Sequence, residues 1–193
     1  MSINLLEKVQ QIIGYPALQK IDPNTQKVIL DDDTNEEHAF SQAAIPAVLI
    51  GLYSYAQSDE GATSLLHEKN SVNWVSKIFN DSKREVVDSI ADYAHLSYEN
   101  VVSNLNLISE ESIKIIKENL PAEASIKQLK VFLSDQKNTI LLYLPASLQI
   151  GTLLNDDTLD DNTNKMEGPI SSMMQSIGSA FSTPVVQDDI KIQ

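Results

Sequence analysis

The sequence predicts an all-α fold: a multihelical bundle of about nine short helices around a central kinked apolar helix at about residues 35–57, followed by a flexible C-terminal tail. Apolar residues recur at the three- and four-residue spacing of an amphipathic helix through most of the first 155 residues. Many of these runs follow Ser, Thr or Asp, the residue types that begin helices. No run shows the alternation of apolar and polar residues that predicts a half-buried strand.

The central helix is predicted from the only segment that is apolar on every side, residues 43–53. No residue from 39 to 58 carries a formal charge. A helix of this kind is buried either in a bundle or in a bilayer. The strongly apolar part is too short for a membrane span, and both flanks are acidic, so we expect a core helix. Pro46 predicts a kink or a new helix start, and Gly51 predicts a close approach of a neighbour.

Two helices are predicted before the central one. The first follows Ser2 as its N-cap, has apolar residues at helical spacing from Leu5 to Ile13, and ends at Gly14. The second covers residues 23–30, because Asp followed by Pro is a typical helix start. Thr34-x-x-Glu37 has the pattern of a capping box and should open the central helix.

Shorter helices separated by brief turns are predicted after the central one. They begin at Ala62 and at the N-caps Ser71, Ser82, Ser97, Ser109 and Ser125, and the last one covers residues 137–144 before Pro145. Ser82-x-x-Glu85 is a further capping-box pattern. The motif Ile45-Pro46-Ala47-Val48-Leu49 recurs as Leu144-Pro145-Ala146-Ser147-Leu148, which indicates either two equivalent kinked helices or a chance similarity.

The character of the sequence changes at residue 155, so we predict a helical domain over residues 1–155 and an acidic linker and tail over residues 156–193. The tail contains apolar residues at helical spacing: Ile170, Met173, Met174, Ile177 and Phe181. These residues predict a short amphipathic helix that either packs back on the domain or docks on a partner, since methionine-rich surfaces adapt to partner grooves.

Composition excludes several classes of function. The 193 residues include no cysteine, which excludes disulfides, thiolate catalysis and iron–sulfur clusters. The net charge of −13 repels phosphate backbones, so we expect no nucleic-acid partner and an attraction to basic protein surfaces or cations. The N-terminal sequence has neither a basic region nor a long apolar one, which favours a cytoplasmic protein.

Several segments resemble a known family. The stretch Ala43-Ala44-Ile45-Pro46-Ala47-Val48-Leu49-Ile50-Gly51-Leu52, followed by Asp59-Glu60-Gly61-Ala62, resembles consecutive helices of the bacterial YidB-like proteins of unknown function. Trp74-Val75-Ser76-Lys77-Ile78-Phe79 is similar to another segment of that family, although Ser76 and Asn80 replace two glycines of its pattern. The resemblance covers roughly residues 1–155. It implies a multihelical bundle and no established activity.

Candidate ligand sites are few. Asp88, Asp92 and His95 share one face of a predicted helix and form either a weak metal site or a solvated surface. Residues 156–167 and 31–42 begin like calcium-binding loops, but both lack the turn glycine at the sixth position. No nucleophile motif and no glycine-rich phosphate loop is present in the sequence.

These observations favour a non-catalytic helical interaction or scaffold protein with an acidic surface, a protein partner and no cofactor. Two alternatives stay open. One is an enzyme or a cargo effector whose site forms only in three dimensions, for which a deep polar pocket with a histidine and a carboxylate would be the sign. The other is a cation-dependent switch that uses the two acidic loops.

Overall fold

The structure, a computed structural model, describes residues 3–21, 36–68, 73–155 and residue 159. The chain divides into two compact units, Met1–Thr163 and Asn164–Gln193, and every described residue belongs to the first. The predicted helix over residues 23–30 and Thr34 of the predicted capping box lie outside the described residues, as does all of the calcium-like loop 156–167 except residue 159. The same holds for the tail residues proposed for docking: Ile170, Met173, Met174, Ile177 and Phe181. Residues 36–42 of the other calcium-like loop are described and are helical, so this part of the chain does not form the second half of such a loop. The boundary at residue 155 stays a prediction, and Leu159 beyond it is buried in the core.

The described part of the chain is helical and contains no strand, which confirms the all-α prediction for these residues. Seven α-helices have six residues or more: α1 (Leu5–Ile13), α2 (Glu36–Tyr55), α3 (Asp59–His67), α4 (Trp74–Phe79), α5 (Lys83–Ala94), α6 (Tyr98–Glu118) and α7 (Ile126–Leu141). The described residues also contain one short helical turn, α8 (Ile150–Leu153), and two 3-10 turns, Asn80–Ser82 and Ala146–Leu148. The total of nine helices stays a prediction.

Helix α2 lies at the centre of the bundle, and all its residues from 39 to 53 are buried. Helices α1, α4, α5, α6 and α7 pack around it. The helix is continuous through Pro46, so the predicted alternative of a new helix start there is wrong. Burial on every side compensates for the hydrogen bond that proline cannot donate. The kink at Pro46 stays a prediction.

The close approach predicted at Gly51 is confirmed. A Cβ atom at this position would lie 2.6 Å from Cγ2 of Ile78 and 2.7 Å from Cε1 of Phe79. Both contacts come from α4, whose apolar face is buried as its helical spacing predicted. Glycine therefore sets the distance between α2 and α4, because any larger side chain would have to displace the α4 side chains.

Three helices begin at other residues than the sequence predicts. The N-cap of α4 is Asn73, whose side-chain oxygen accepts from the N–H of Ser76 at 3.0 Å, and not the predicted Ser71. Helix α1 is capped by Asn4, whose side-chain oxygen accepts from the N–H of Glu7 at 3.3 Å, and not by Ser2. Helix α3 begins three residues earlier than predicted, because Ser58 is its N-cap and accepts from the N–H of Gly61 at 2.9 Å. The predicted helix end at Gly14 is confirmed, with φ of 86° in the left-handed region.

Two pairs of predicted helices are single helices. Helix α6 continues through Ser109, whose hydroxyl donates to the carbonyl oxygen of Leu105 at 2.7 Å instead of capping a new helix. Serine inside a helix commonly bonds the carbonyl four residues earlier, so its presence does not require a start. Helix α7 likewise joins the predicted segments 126–133 and 137–144, although it ends at residue 141. The caps at Ser97 and Ser125 are confirmed, and Ser125 forms a capping box with Gln128.

The capping box predicted at Ser82 is wrong. Ser82 makes no capping hydrogen bond, because its hydroxyl donates to the carbonyl oxygen of Leu153 in α8. The repeated motif is also not a structural repeat. Its first copy lies inside α2, whereas the second copy forms a bend at Leu144 and then the 3-10 turn Ala146–Leu148.

One non-helical segment packs along the bundle as well. Residues 15–21, called the strap here, connect the end of α1 towards α2 and lie against α2 and the end of α7. The buried side chain of Gln42 accepts from the N–H of Gln19 at 2.8 Å and donates to its carbonyl oxygen at 3.0 Å. The N–H of Ile21 donates to the carbonyl oxygen of Leu142 at 2.8 Å.

No single helix in the described part of the chain has both the length and the apolar composition needed to cross a bilayer. Helices α2 and α3 would meet that test together, on length and composition only, but they are bent by 117° where they join.

Candidate functional site

The structure contains a cleft beside α3 that is open to solvent and encloses about 540 Å³. We call it the α3 cleft. Its lining residues are Tyr55 from α2, Asp59, Glu60, Thr63, Ser64 and His67 from α3, Glu68 just after α3, and Lys77 from α4. A smaller cleft of about 210 Å³ on the other side of His67 is formed with Lys117 and the turn after α6.

The shape of the α3 cleft follows from the tight turn between α2 and α3. A Cβ atom at Gly61 would lie 2.0 Å from the carbonyl oxygen of Tyr55, so only glycine lets the first turn of α3 come this close to the end of α2. Within α3, Glu60, Ser64 and His67 follow one another at four- and three-residue spacing. They therefore line one face of the helix, the one towards the cleft.

An ion pair crosses the cleft between α3 and α4. Nζ of Lys77 lies 2.5 Å from each carboxylate oxygen of Glu68 and 3.4 Å from Oγ of Ser64. The same ammonium group lies 5.7 Å from the centre of the Trp74 ring, within the range of a cation–π contact. The three polar side chains thus satisfy one another's hydrogen-bonding groups.

A second lysine reaches Glu68 from α6. Nζ of Lys117 donates to the backbone carbonyl oxygen of Glu68 at 2.9 Å, at the C-terminal end of α3. A cation at this position stabilises the negative end of the helix dipole. Burial lowers the pKa of Lys117, and the nearby Glu68 carboxylate opposes this effect.

The ion pair sets the protonation states in the cleft. The hydrogen bond from Lys77, and then the one from Ser64, lower the pKa of the Glu68 carboxyl group. The hydrogen bond to Glu68 raises the pKa of Lys77. At neutral pH the lysine therefore stays protonated and the carboxylate stays ionised.

These protonation states do not suit nucleophilic catalysis. A serine nucleophile needs a neighbouring base that can take its proton. Lys77 is protonated, and the pKa of Glu68 is shifted away from the neutral range at which a general base works best. The hydrogen bonds of Ser64 in the described contacts are with these two residues and not with His67.

The residues predicted to form a weak metal site do not come together as one. Asp88 lies on α5 with its carboxylate 3.6 Å from Nε of Arg84, one turn earlier. His95 follows the last residue of α5 and adopts a left-handed conformation with φ of 56°. Among the described residues no group of three or more His, Asp or Glu side chains could hold a metal ion, and Asp88, Asp92 and His95 form no exception.

Sequence reasoning missed the cluster of Ser64, Glu68 and Lys77. The four-residue spacing of Ser64 and Glu68 is a visible signal, because it places both near one helix face. No local sequence pattern links Lys77 to Ser64 or Glu68. Its position in the cleft depends on how α4 packs against α3, which the sequence does not show.

Comparisons with protein-family models, with curated proteins and with solved structures found no match to this chain. The resemblance to the YidB-like proteins is therefore a prediction that the comparisons do not test.

Proposed function

We propose that this chain is a non-catalytic helical interaction protein of the YidB-like type, which binds a protein partner in the cytoplasm through its acidic surface. The observation that carries this proposal is the ion pair between Lys77 and Glu68. It occupies the polar centre of the α3 cleft with groups that neutralise each other and activate no nucleophile. The apolar side chains of the surrounding helices are used to fill the core around α2.

The charge at the edge of the α3 cleft supports a basic partner. Asp59 and Glu60 lie at the exposed start of α3, and the side chain of Asp59 is 82% exposed although Lys130 bonds it at 2.6 Å. Three carboxylates line the cleft, but Glu68 is paired with Lys77 and Asp59 with Lys130, so the negative charge offered to a partner comes from Glu60 and from the net charge of −13 of the whole chain. A negative surface of this kind accelerates association with a positive one and helps to select it.

The enzyme alternative has one observation in its favour, the presence of His67 and carboxylates in the same cleft. The raised pKa of Lys77 and the lowered pKa of Glu68 oppose a catalytic reading of the neighbouring Ser64. A substrate screen that finds turnover abolished by Ser64→Ala, with the fold intact, would establish this alternative and refute the proposal.

The direct test is affinity capture from native extract with full-length protein and with a chain truncated after Thr163, which keeps the buried Leu159 and the whole of the first unit. A partner that binds full-length protein alone assigns docking to the tail, and a partner that binds both assigns it to the helical domain. Failure of both chains to retain any specific partner would contradict the interaction function.

Charge variants sharpen this test. We expect Asp59→Asn with Glu60→Gln to weaken capture by the helical domain, because they remove the negative edge of the α3 cleft. Glu110→Gln with Glu118→Gln, at exposed positions of α6, is the control with the same change in net charge. Equal losses in both pairs would show a general charge effect and no specific contribution of the cleft.

A further inference from the structure

Two lysines contact Glu68, and their bonds to it differ. Nζ of Lys77 is bonded to the two carboxylate oxygens, whereas Nζ of Lys117 donates to the backbone carbonyl oxygen of the same residue at 2.9 Å. The hydrogen bond to Glu68 raises the pKa of Lys77 and keeps this lysine protonated. Burial lowers the pKa of Lys117, and the Glu68 carboxylate opposes that effect only in part. One amine is therefore held as an ammonium ion, and the other loses its proton more readily.

Two further lysines are paired as Lys77 is. Nζ of Lys114 lies 3.3 Å from the carboxylate of Glu111, and Nζ of Lys130 lies 2.6 Å from that of Asp59. A lysine bonded to a carboxylate is a poor nucleophile, because it gives up its ion pair together with its proton. The bond of Lys117 to a carbonyl oxygen carries no such cost, since a neutral amine still has N–H groups to donate. Partial burial away from a paired carboxylate is the environment that activates a lysine as a nucleophile.

Lys117 also lines the smaller cleft of about 210 Å³, which we call the Lys117 cleft. Its walls are mostly apolar and come from α3 and from the turn after α6: Leu66, Leu120, Pro121, Ala122 and Ala124. Its other titratable residues are His67 and Glu123. The volume is below the roughly 300–1,000 Å³ of a pocket for a whole small-molecule ligand, so the cleft suits a small group attached to the lysine.

The charges around the Lys117 cleft limit the kind of group that it accepts. Glu123 lines the cleft and Glu68 acts electrostatically on Lys117, so a group with a negative charge would be repelled. When Nζ becomes an amide, its own positive charge is lost and no longer offsets these carboxylates. A short uncharged acyl group fits both the volume and the charge. A thioester is the suitable donor, because its reacting group is uncharged and that of an acyl phosphate is not.

We propose that Lys117 is a modification site, which accepts a short uncharged acyl group from a thioester. The neutral amine attacks the carbonyl carbon and forms the C–N bond, while the C–S bond breaks and the sulfur leaves as a thiolate with the electron pair. The thiolate takes the proton that the nitrogen releases. The amide keeps one N–H for the carbonyl oxygen of Glu68, and the acyl chain occupies the Lys117 cleft.

Acylation removes a cation from the C-terminal end of α3. The charge of Lys117 stabilises the negative end of the helix dipole and contributes to the lowered pKa of the Glu68 carboxyl group. The acylated protein should therefore show a higher Glu68 pKa than the unmodified one, which a carbon-13 titration measures. The net charge also becomes one unit more negative, which favours a basic partner. Only this last effect rests on the proposed function, whereas the modification itself does not.

The test is to incubate full-length wild-type protein with acetyl-coenzyme A at neutral pH and to follow each lysine by peptide mass spectrometry. Lys114 is the internal control, because it lies on the same helix and is paired with Glu111. We expect Lys117 to be acetylated at least about fivefold faster than Lys114. The rate follows the fraction of neutral amine, which rises about tenfold for each unit by which the pKa of a lysine falls.

The variant Glu68→Gln separates this electrostatic cause from simple exposure. It removes the carboxylate that opposes the lowered pKa of Lys117, so Lys117 should react at least about twofold faster than in the wild type. Lys77, released from its ion pair, should react faster as well. Glu99→Gln, at an exposed position near the start of α6, is the control with the same change in net charge and should leave both rates unchanged.

Succinyl-coenzyme A tests the charge of the acyl group with the same leaving group. The ratio of the rates at Lys117 and Lys114 cancels the different reactivity of the two thioesters. We expect this ratio to be at least about threefold lower for the succinyl group, because the carboxylates beside the cleft repel it.

The inference is overturned if Lys117 in the folded wild-type protein is acetylated no faster than Lys114. Equal ratios for the two thioesters would refute the preference for an uncharged group. An acceleration by Glu99→Gln as large as that by Glu68→Gln would show a general charge effect and refute the role of Glu68. Affinity capture of a partner depends on none of these rates, so the interaction function and the modification site can fail separately.

Discussion

In the first half of α2 a buried amide, Gln42, holds the strap and the end of α7 by hydrogen bonds, whereas in the second half the absence of a side chain at Gly51 lets α4 pack directly on the helix. The first half of α2 contacts its neighbours through the hydrogen bonds of a side chain. The second half packs closely on α4 because position 51 carries no side chain. Hydrogen bonds to a main chain accept any segment of the right conformation, but a steric fit accepts only the side chains that shaped it.

The largest expected effect lies at Leu49, in the second half of α2. This side chain is fully buried, and Leu49→Ala should lower the free energy of unfolding by about 2–5 kcal/mol, because it leaves a cavity in the core. Urea denaturation measures the change. Leu107→Ala, at a residue that is 57% exposed, is the control and should change stability by about 0.5 kcal/mol or less. An unchanged midpoint for Leu49→Ala would place this residue outside the core.

Gln42→Met tests the polar half. It keeps the size of the side chain and removes three hydrogen bonds, so the unfolding free energy should fall by about 2–3 kcal/mol. Gln57→Met is the matched control, because Gln57 is exposed and its side chain makes one hydrogen bond in the described contacts, to the carbonyl of Tyr53. We expect the control to cost about 1 kcal/mol or less. Equal losses for both variants would mean that the strap contributes nothing specific.

Gly51→Ala tests the steric half. In an isolated helix the change from glycine to alanine stabilises by about 1 kcal/mol, but here the new methyl group meets Ile78 and Phe79 and should cost about 1–3 kcal/mol. Phe79→Leu removes the ring atom at 2.7 Å. The double variant should therefore be more stable than the sum of the two single changes predicts. Strict additivity in thermal unfolding would show that the contact does not set the packing distance.

A smaller effect of opposite sign is expected where α4 ends. Asn80 has φ of 42° and ψ of −119°, a conformation that glycine adopts more easily. Asn80→Gly should stabilise the protein by about 1 kcal/mol. Asn104→Gly inside α6 is the control and should destabilise it by a few tenths of a kcal/mol. This position is also one where the YidB-like pattern has glycine. A loss of stability for Asn80→Gly would show that its side chain, and not its backbone, is what matters.

The ion pair between Glu68 and Lys77 makes the stability of the fold depend on pH. Because the pKa of Glu68 is lowered in the folded protein, its ion pair with Lys77 stabilises the fold at neutral pH. This contribution begins to fall near the ordinary glutamate pKa of about 4.3 and is lost as the pH drops through the lowered value. Lys77 stays charged over this whole range, since its pKa is raised.

Glu68→Gln should therefore reduce the loss of thermal stability between pH 7 and pH 3. Glu110→Gln, at an exposed site on α6, is the control for the general effect of charge. A carbon-13 titration of the Glu68 carboxyl group measures the pKa directly. A value at or above that of a free glutamate would show that the ion pair does not persist in solution.

Local signals predicted many features of the fold. Glycine at position 14 ends α1 and serine at positions 97 and 125 begins helices, because each acts on the backbone of its own turn. The same logic failed at Ser109, where the serine hydroxyl bonds the helix that contains it. A serine can either cap a new helix or bond a carbonyl of the helix that contains it. At Ser109 the packing of α6 along the core selects the second arrangement.

The candidate sites were less predictable than the fold. Glu68 meets Lys77 nine residues away and Lys117 forty-nine residues away in sequence, and no local pattern links these positions. In the sequence, Gln42 could be recognised only as a polar residue within an otherwise apolar helix. Its role depends on Gln19 and Tyr143, which come from both ends of the described chain.

The sequence alone determined that residues 43–53 lie in a buried helix, because an uncharged segment that is apolar on all sides is stable only when it is covered. It also determined that the covering elements are helices, through their apolar spacing. The tertiary structure decided which polar atoms meet: the amide of Gln42 with the strap, and Glu68 with two lysines. Burial depends on composition summed over a segment, whereas a hydrogen bond depends on two atoms brought within about 3 Å, and only the packed chain fixes that distance.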